Sequence, residues 1–202
     1  MVFDLSTVGL RLALVWLAWI IFYGYWLLSI LFEFATGRYK PREAVGQSFG
    51  AAVAQRVLLG AAIVLEVDPI LGPLTVQLVP YSLPLQVFGM TVAFAGVGFA
   101  IWARQHLGGN WSSEINIKKG HTLIKTGPYG LVRHPIYAGI FFMVLGCAID
   151  LGTIGSAIAI SLGLLFVAYR VNVEEGLMSR RFGKEWDIYK KEVKQVIVPG
   201  VV

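Results

Sequence analysis

Charge is scarce in this chain. Only 14% of its 202 residues are Asp, Glu, Lys or Arg, where a soluble domain carries about a quarter. With 56% hydrophobic residues and a mean hydropathy of +0.69, that deficit excludes an ordinary soluble domain and implies an integral membrane protein. Cysteine is nearly absent: Cys147 stands alone in an apolar segment. An intramolecular disulfide and a Cys-x-x-Cys site are therefore excluded, and the thiol reads as packing. The three histidines, His106, His121 and His134, are scattered with no carboxylate at ligand spacing, which argues against a metal site. There is no Gly-x-Gly-x-x-Gly after a strand, no nucleophile elbow, no internal repeat and no low-complexity stretch. These absences remove a Rossmann nucleotide fold, a serine hydrolase and a solenoid.

Long apolar runs are what the chain does have. A helix crosses a bilayer with about 20 apolar residues. Residues 10–32, 47–66 and 85–105 meet that length. The first run is too long for a signal-peptide core and reads as a retained span. Asp68-Pro69, Gly72-Pro73, Pro80 and Pro84 form a breaker-rich connection before the third. Residues 136–149 are short for an upright span, Asp150-Leu151-Gly152 signals a turn, and 153–170 runs back. The pair predicts a tight helical hairpin, and the whole an all-α fold of five transmembrane helices. Gly155, Ala159 and Gly163 recur every fourth residue. Such a stripe lets helices approach closely, with Gly139 and Gly146 as its expected partners.

The formal charge of +5 is distributed by topology. Arg38, Lys40 and Arg42 follow span one. Lys118, Lys119, Lys125 and Arg133 follow span three, and Arg180, Arg181, Lys184, Lys190, Lys191 and Lys194 follow span five. The other two connections carry no Lys or Arg. The bias toward positive cytoplasmic loops then places the N-terminus outside and the C-terminus in the cytoplasm. It also accounts for the basic residues without nucleic acid. In the loop after span three, Glu114 to Ile124 predicts a short hairpin or extended loop. Leu177, Met178, Phe182, Trp186, Tyr189 and Val193 recur at helical spacing, so residues 174–194 predict an amphipathic helix on the membrane or on the protein.

Three constellations carry possible chemistry. Arg133-His134-Pro135 opens the hairpin. Proline suits the first helical position, and the free N–H groups beside Arg133 suit an anion; a basic anchor snorkelling to headgroups is the plainer reading. Arg170 and Glu174 sit one turn apart, as an i, i+4 ion pair or as a ligand-holding pair. Arg56 falls mid-span, where an arginine lines a substrate passage or ties helices together.

The motifs Leu107-Gly108-x-Asn110-Trp111, His121-Thr122-Leu123-Ile124, Gly127-x-Tyr129, Arg133-His134-Pro135-x-Tyr137, Glu174-Glu175 and Phe182-Gly183-x-x-Trp186-x-x-Tyr189 occur in an order and spacing that resembles the isoprenylcysteine carboxyl methyltransferase family. The likeness covers roughly the C-terminal half, and Trp186 stands where tyrosine is usual. The resemblance implies a single membrane methyltransferase domain over 1–202 with a cytoplasmic pocket for S-adenosylmethionine, released as S-adenosylhomocysteine. Carried over by motif, that pocket uses Asn116, His121, Thr122, Leu123, Ile124, Tyr129, His134, Pro135, Ile136, Tyr137 and Glu174. Arg170 and Glu174 are the implied catalytic pair, and Arg170 with Arg56 the implied contacts to the acceptor.

The implied acceptor is lipophilic, a prenylcysteine or isoprenoid-type carboxylate reached from the bilayer. The implied location is the cell membrane in a prokaryote and the endoplasmic reticulum in a eukaryote. The alternatives are a phospholipid or amine N-methyltransferase, a sterol- or isoprenoid-type reductase using a nicotinamide cofactor, and a non-catalytic lipid-binding membrane protein.

Overall fold

The computed structural model describes residues 5–37, 42–45, 48–67, 72–112 and 115–198. The helices are α1 (Leu5–Ala35), α2 (Phe49–Val67), α3 (Leu83–Leu107), α4 (Pro135–Leu151), α5 (Ile154–Phe182) and α6 (Lys184–Glu192), and two short strands are β1 (Arg42–Val45) and β2 (Asn116–Lys118). Arg38, Lys40, Asp68-Pro69 and Glu114 of the sequence reading lie outside the described residues.

Among the described residues, three helical stretches are long and apolar enough to cross a bilayer, at 9–35, 83–110 and 154–182, and α4 is a shorter apolar helix. The chain is an integral membrane protein. α1 shows why length alone does not define its role. Val15, Trp19, Phe22 and Trp26 form a buried stripe at helical spacing, while Trp16, Ile20, Leu27 and Leu31 on other faces are exposed. Apolar residues all round suit a helix that meets protein on one side and lipid on the other.

Helix ends are set by local chemistry. Ser82 caps α3 through its hydroxyl, which accepts from the amide of Leu85. Pro135 opens α4, and Gly152, with φ +61°, ends it in the left-handed region. Thr153 and Ser156 form a reciprocal capping box on α5. The hairpin tip is then tied down. The carbonyl of Gly152 accepts from Leu78 and Val79, at 2.7 and 3.2 Å, and the amide of Ile154 donates to Val76. Arg11 of α1 donates to the backbone carbonyls of Asp150 and Leu151.

Two expectations are corrected and a third is narrowed. The close helix contact is α3 on α4, not α4 on α5. A Cβ on Gly96 would lie 2.6 Å from the Gly139 carbonyl, one on Gly89 would lie 2.6 Å from that of Gly146, and one on Gly163 would meet nothing within 4 Å. The small residues of α5 are periodic, but those of α3 (Gly89, Ala93, Gly96, Ala100) oppose α4. No helix boundary occurs at 170–174 either. α5 runs through to Phe182 and breaks at Gly183, with φ +50°, because the intervening residues include no proline and no glycine in that region of backbone space. Finally, of the two forms expected after α3, the described residues 115–124 take the extended loop. β2 pairs antiparallel with β1, Ala44 opposite Ile117 and Val45 opposite Asn116. Leu123 instead packs against Trp186, Tyr189 and Val193.

Candidate functional site

A cavity of about 740 Å³ lies between α1, α4, α5 and the loop after α3, within the roughly 300–1,000 Å³ of small-ligand sites. Its wall carries apolar side chains, among them Trp19, Phe22, Trp26, Ile140 and Phe166, and polar ones, among them Asn116, His121, His134, Arg170 and Glu174.

The charged part of the wall is built by the start of α4 meeting the middle of α5. The Tyr137 hydroxyl accepts from Arg170 Nε at 2.6 Å and donates to Glu174 Oε1. Arg170 Nη2 donates to the same carboxylate oxygen at 3.2 Å. The His134 ring stacks on Tyr137 at 5.9 Å and stands between two carboxylates, Nδ1 3.6 Å from Glu174 and Nε2 3.3 Å from Glu175. The arrangement follows from helix periodicity. Arg170 and Glu174 share one face of α5, and Glu175, turned about 100° from Glu174, reaches the neighbouring Arg133.

The guanidinium of Arg133 is committed elsewhere. Its Nε donates to Glu175 at 2.9 Å, and its Nη1 to the carbonyls of Val193 and Lys194 at 2.8 and 2.7 Å. The amides of Arg133 and His134 donate to Gln195 and Val196. Arg133 therefore clamps the segment after α6 against α4. Its side chain also contributes to the cavity wall.

His134 lies just ahead of α4. Burial of its ring opposes the charge, but hydrogen bonds and charge from Glu174 and Glu175 outweigh burial and hold the imidazole above its ordinary pKa. A raised folded-state value adds stability that is complete below the unfolded value, about 6.5, and is lost as pH rises through the folded value. The thermal midpoint of the ligand-free protein in detergent is therefore expected to fall above about pH 6.5, and the fall to flatten in His134→Asn. A wild-type slope that persists in the variant would assign it to other groups.

The expected site residues divide clearly by position. Asn116, His121, Leu123, Ile124, Tyr129, His134, Pro135, Ile136, Tyr137, Arg170 and Glu174 all lie on the cavity wall. Thr122 is not on it; its hydroxyl and carbonyl accept from the Asn110 amide at 3.2 and 3.4 Å. Arg56 is not on it either, and lies on an exposed face of α2. Depth along a span gave no information about which face the residue occupies. Sequence reasoning missed the α1 wall, although the aromatic spacing of Trp19, Phe22 and Trp26 signals one face.

The sequence profile of the isoprenylcysteine carboxyl methyltransferase (ICMT) family matches residues 88–180. Protein-S-isoprenylcysteine O-methyltransferase of Schizosaccharomyces pombe is 38% identical over 76 residues, 37% of this chain and 32% of that protein. The protein of the same name from Saccharomyces cerevisiae is 28% identical over 176 residues, 83% of this chain and 73% of that protein. The chain thus spans about a third of the first relative and about three quarters of the second. A solved structure of the eukaryotic intramembrane Ras methyltransferase ICMT shares the fold, with a TM-score of 0.54 at 22% identity over 75% of this chain and 51% of that one. Over residues 88–180, a little under half of its length, this chain is thus similar to the isoprenylcysteine carboxyl methyltransferase family.

Proposed function

We propose that the protein transfers a methyl group from S-adenosylmethionine to the carboxylate of a prenylcysteine or isoprenoid-type lipid. The observation that carries this reading is one cavity whose wall holds both the charged Glu174 and Arg170 and an aromatic face from α1. These two kinds of lining suit two substrates of opposite polarity. The relatives named as protein-S-isoprenylcysteine O-methyltransferases support the same chemistry.

The residues present fit the cofactor. Glu174 is a carboxylate for its ammonium group, Asn116 and His121 are polar partners for the nucleoside, and Leu123 and Ile124 are apolar cover. When bound, S-adenosylmethionine supplies an electrophilic methyl group on a sulfonium. The chain's own work is then positioning and exclusion of water. Arg170 orients the acceptor carboxylate by charge and planar hydrogen bonds. Trp19, Phe22, Trp26, Ile140 and Phe166 are the apolar lining that excludes water. A carboxylate acceptor has no proton to lose, so no base is required of His134, whose charged form the two glutamates favour.

Ile20 and Leu27 line the cavity and are also more than half exposed, which supports lateral entry of the acceptor past α1. The reading includes five membrane helices in one domain, with the cofactor pocket and C-terminus on the cytoplasmic side. Cysteine-accessibility labelling tests that topology, and labels at Lys118 and the C-terminal segment on opposite faces would overturn it.

Calorimetric titration with S-adenosylmethionine, S-adenosylhomocysteine and NADPH tests the cofactor assignment. Binding of the first two is expected, and binding of NADPH alone would establish the reductase alternative. Arg170→Ala is expected to lower methyl transfer to a prenylcysteine analogue at least tenfold, about 1.4 kcal/mol. Because Glu174 loses a hydrogen bond in this variant, a smaller loss of cofactor affinity should accompany it. Full transfer by the variant would remove Arg170 from the acceptor site.

A further inference from the structure

Glu33 and Arg104 form a buried ion pair that the site's chemistry does not use. Arg104 Nη2 lies 2.7 Å from Glu33 Oε1, and the two side chains are 3% and 9% exposed. The placement of Glu33 is unfavourable by itself. It lies in the last turn of α1, at the negative end of the helix dipole, and a hydrophobic pair would join two helices there without burying charge.

The geometry of Arg104 shows what the pair joins. Nη1 donates to the carbonyl of Gly108 at 3.0 Å, where α3 gives way to the following loop. The guanidinium lies over the Trp111 ring at 4.5 Å, and Trp111 meets Trp26 edge to face at 6.4 Å. Trp26 and Glu33 are seven residues apart, on one face of α1. Trp26 belongs to the aromatic wall, whereas Trp111 leads into the loop that carries Asn116 and His121, and both tryptophans line the cavity. One planar cation thus links the acceptor wall, the loop start and the ring between them. A lysine has no such fork.

We infer that Glu33 and Arg104 are positioning residues, setting the register of the α1 acceptor wall against the cofactor loop so that the two reacting groups align. This inference rests on the proposed methyl transfer. It follows from the strong dependence of in-line displacement on placement, in which an error of about 1 Å costs on the order of 100-fold. The pair touches neither substrate in this account, so its loss should fall on kcat rather than on cofactor affinity.

The test uses the full chain in detergent or nanodiscs, with Arg104→Lys, Glu33→Ala and the double variant. Methyl transfer to a prenylcysteine analogue is measured beside S-adenosylhomocysteine affinity and the thermal midpoint. Each single variant is expected to lose at least about tenfold in kcat with Kd for S-adenosylhomocysteine within about threefold. The double variant should lose no more than the worse single, because both remove one link. Should a single variant fail to fold, the milder Glu33→Gln carries the same readout, since it keeps the side chain's shape and removes its charge. Unchanged kcat, additive losses, or parallel losses in kcat and affinity would each overturn the inference. A wild-type protein that transfers no methyl group while binding the cofactor would instead overturn the proposed acceptor chemistry.

Discussion

Replacing Glu174 by Gln is expected to weaken S-adenosylmethionine binding by roughly 10- to 150-fold, while Glu175→Gln leaves it within about threefold. The two residues are adjacent in sequence and chemically identical, so the difference must come from placement. Glu174 lies on the cavity wall and accepts from Tyr137 and Arg170. In Glu174→Gln the ligand's ammonium group loses a charge-assisted contact, worth about 1.5–3 kcal/mol. It also meets the Arg170 guanidinium with its counter-charge removed. Glu175 points instead to Arg133 at 2.9 Å and to the far nitrogen of His134 at 3.3 Å. Its loss should loosen the clamp on residues 193–196 and lower the thermal midpoint without reaching the ligand. Calorimetry on both variants, with thermal unfolding alongside, checks the pair of outcomes. Equal loss of affinity in both would mean that the carboxylates act as one shared counter-charge, and Glu174 would lose its separate role.

The C-terminal half was legible because its chemistry is written in short spacings. Pro135 and Gly152 mark the ends of α4 by their own backbone restrictions. Arg170 and Glu174 share a face because helices repeat every 3.6 residues. What sequence could not show was pairing across distance. Glu33 and Arg104 are 71 residues apart and Arg11 and Asp150 are 139 apart; nothing local to either partner announces the other. Arg56 shows a related limit. Its depth in the span was visible, but the face it occupies depends on how α2 rotates against α5. β2 was recognisable as extended, but its partner β1 lies in a different connection.

The small residues make the sharpest test of that limit. Gly146→Ala is expected to destabilise the protein by on the order of 3 kcal/mol or more, whereas Gly163→Ala should be neutral or gain up to about 1 kcal/mol in helix propensity. Sequence spacing alone ranks Gly163 at least as high, since it completes a regular stripe with Gly155 and Ala159. The packing reverses the order. At Gly146 an added Cβ falls against the amide nitrogen of Ala93 and the carbonyl of Gly89 in α3, closer than real contacts permit. These are backbone atoms in a continuous helix, so relief requires α3 and α4 to separate along their length. The same separation would move Pro135 and Tyr137 away from the end of α3, and the site would open with it. At Gly163 the added methyl group meets open space. Thermal unfolding and size-exclusion profiles in one detergent compare the variants directly. A Gly146→Ala protein as stable as wild type would mean that α3 and α4 pack less closely than described, and the framework that aligns α4 with the cavity would have to be redrawn.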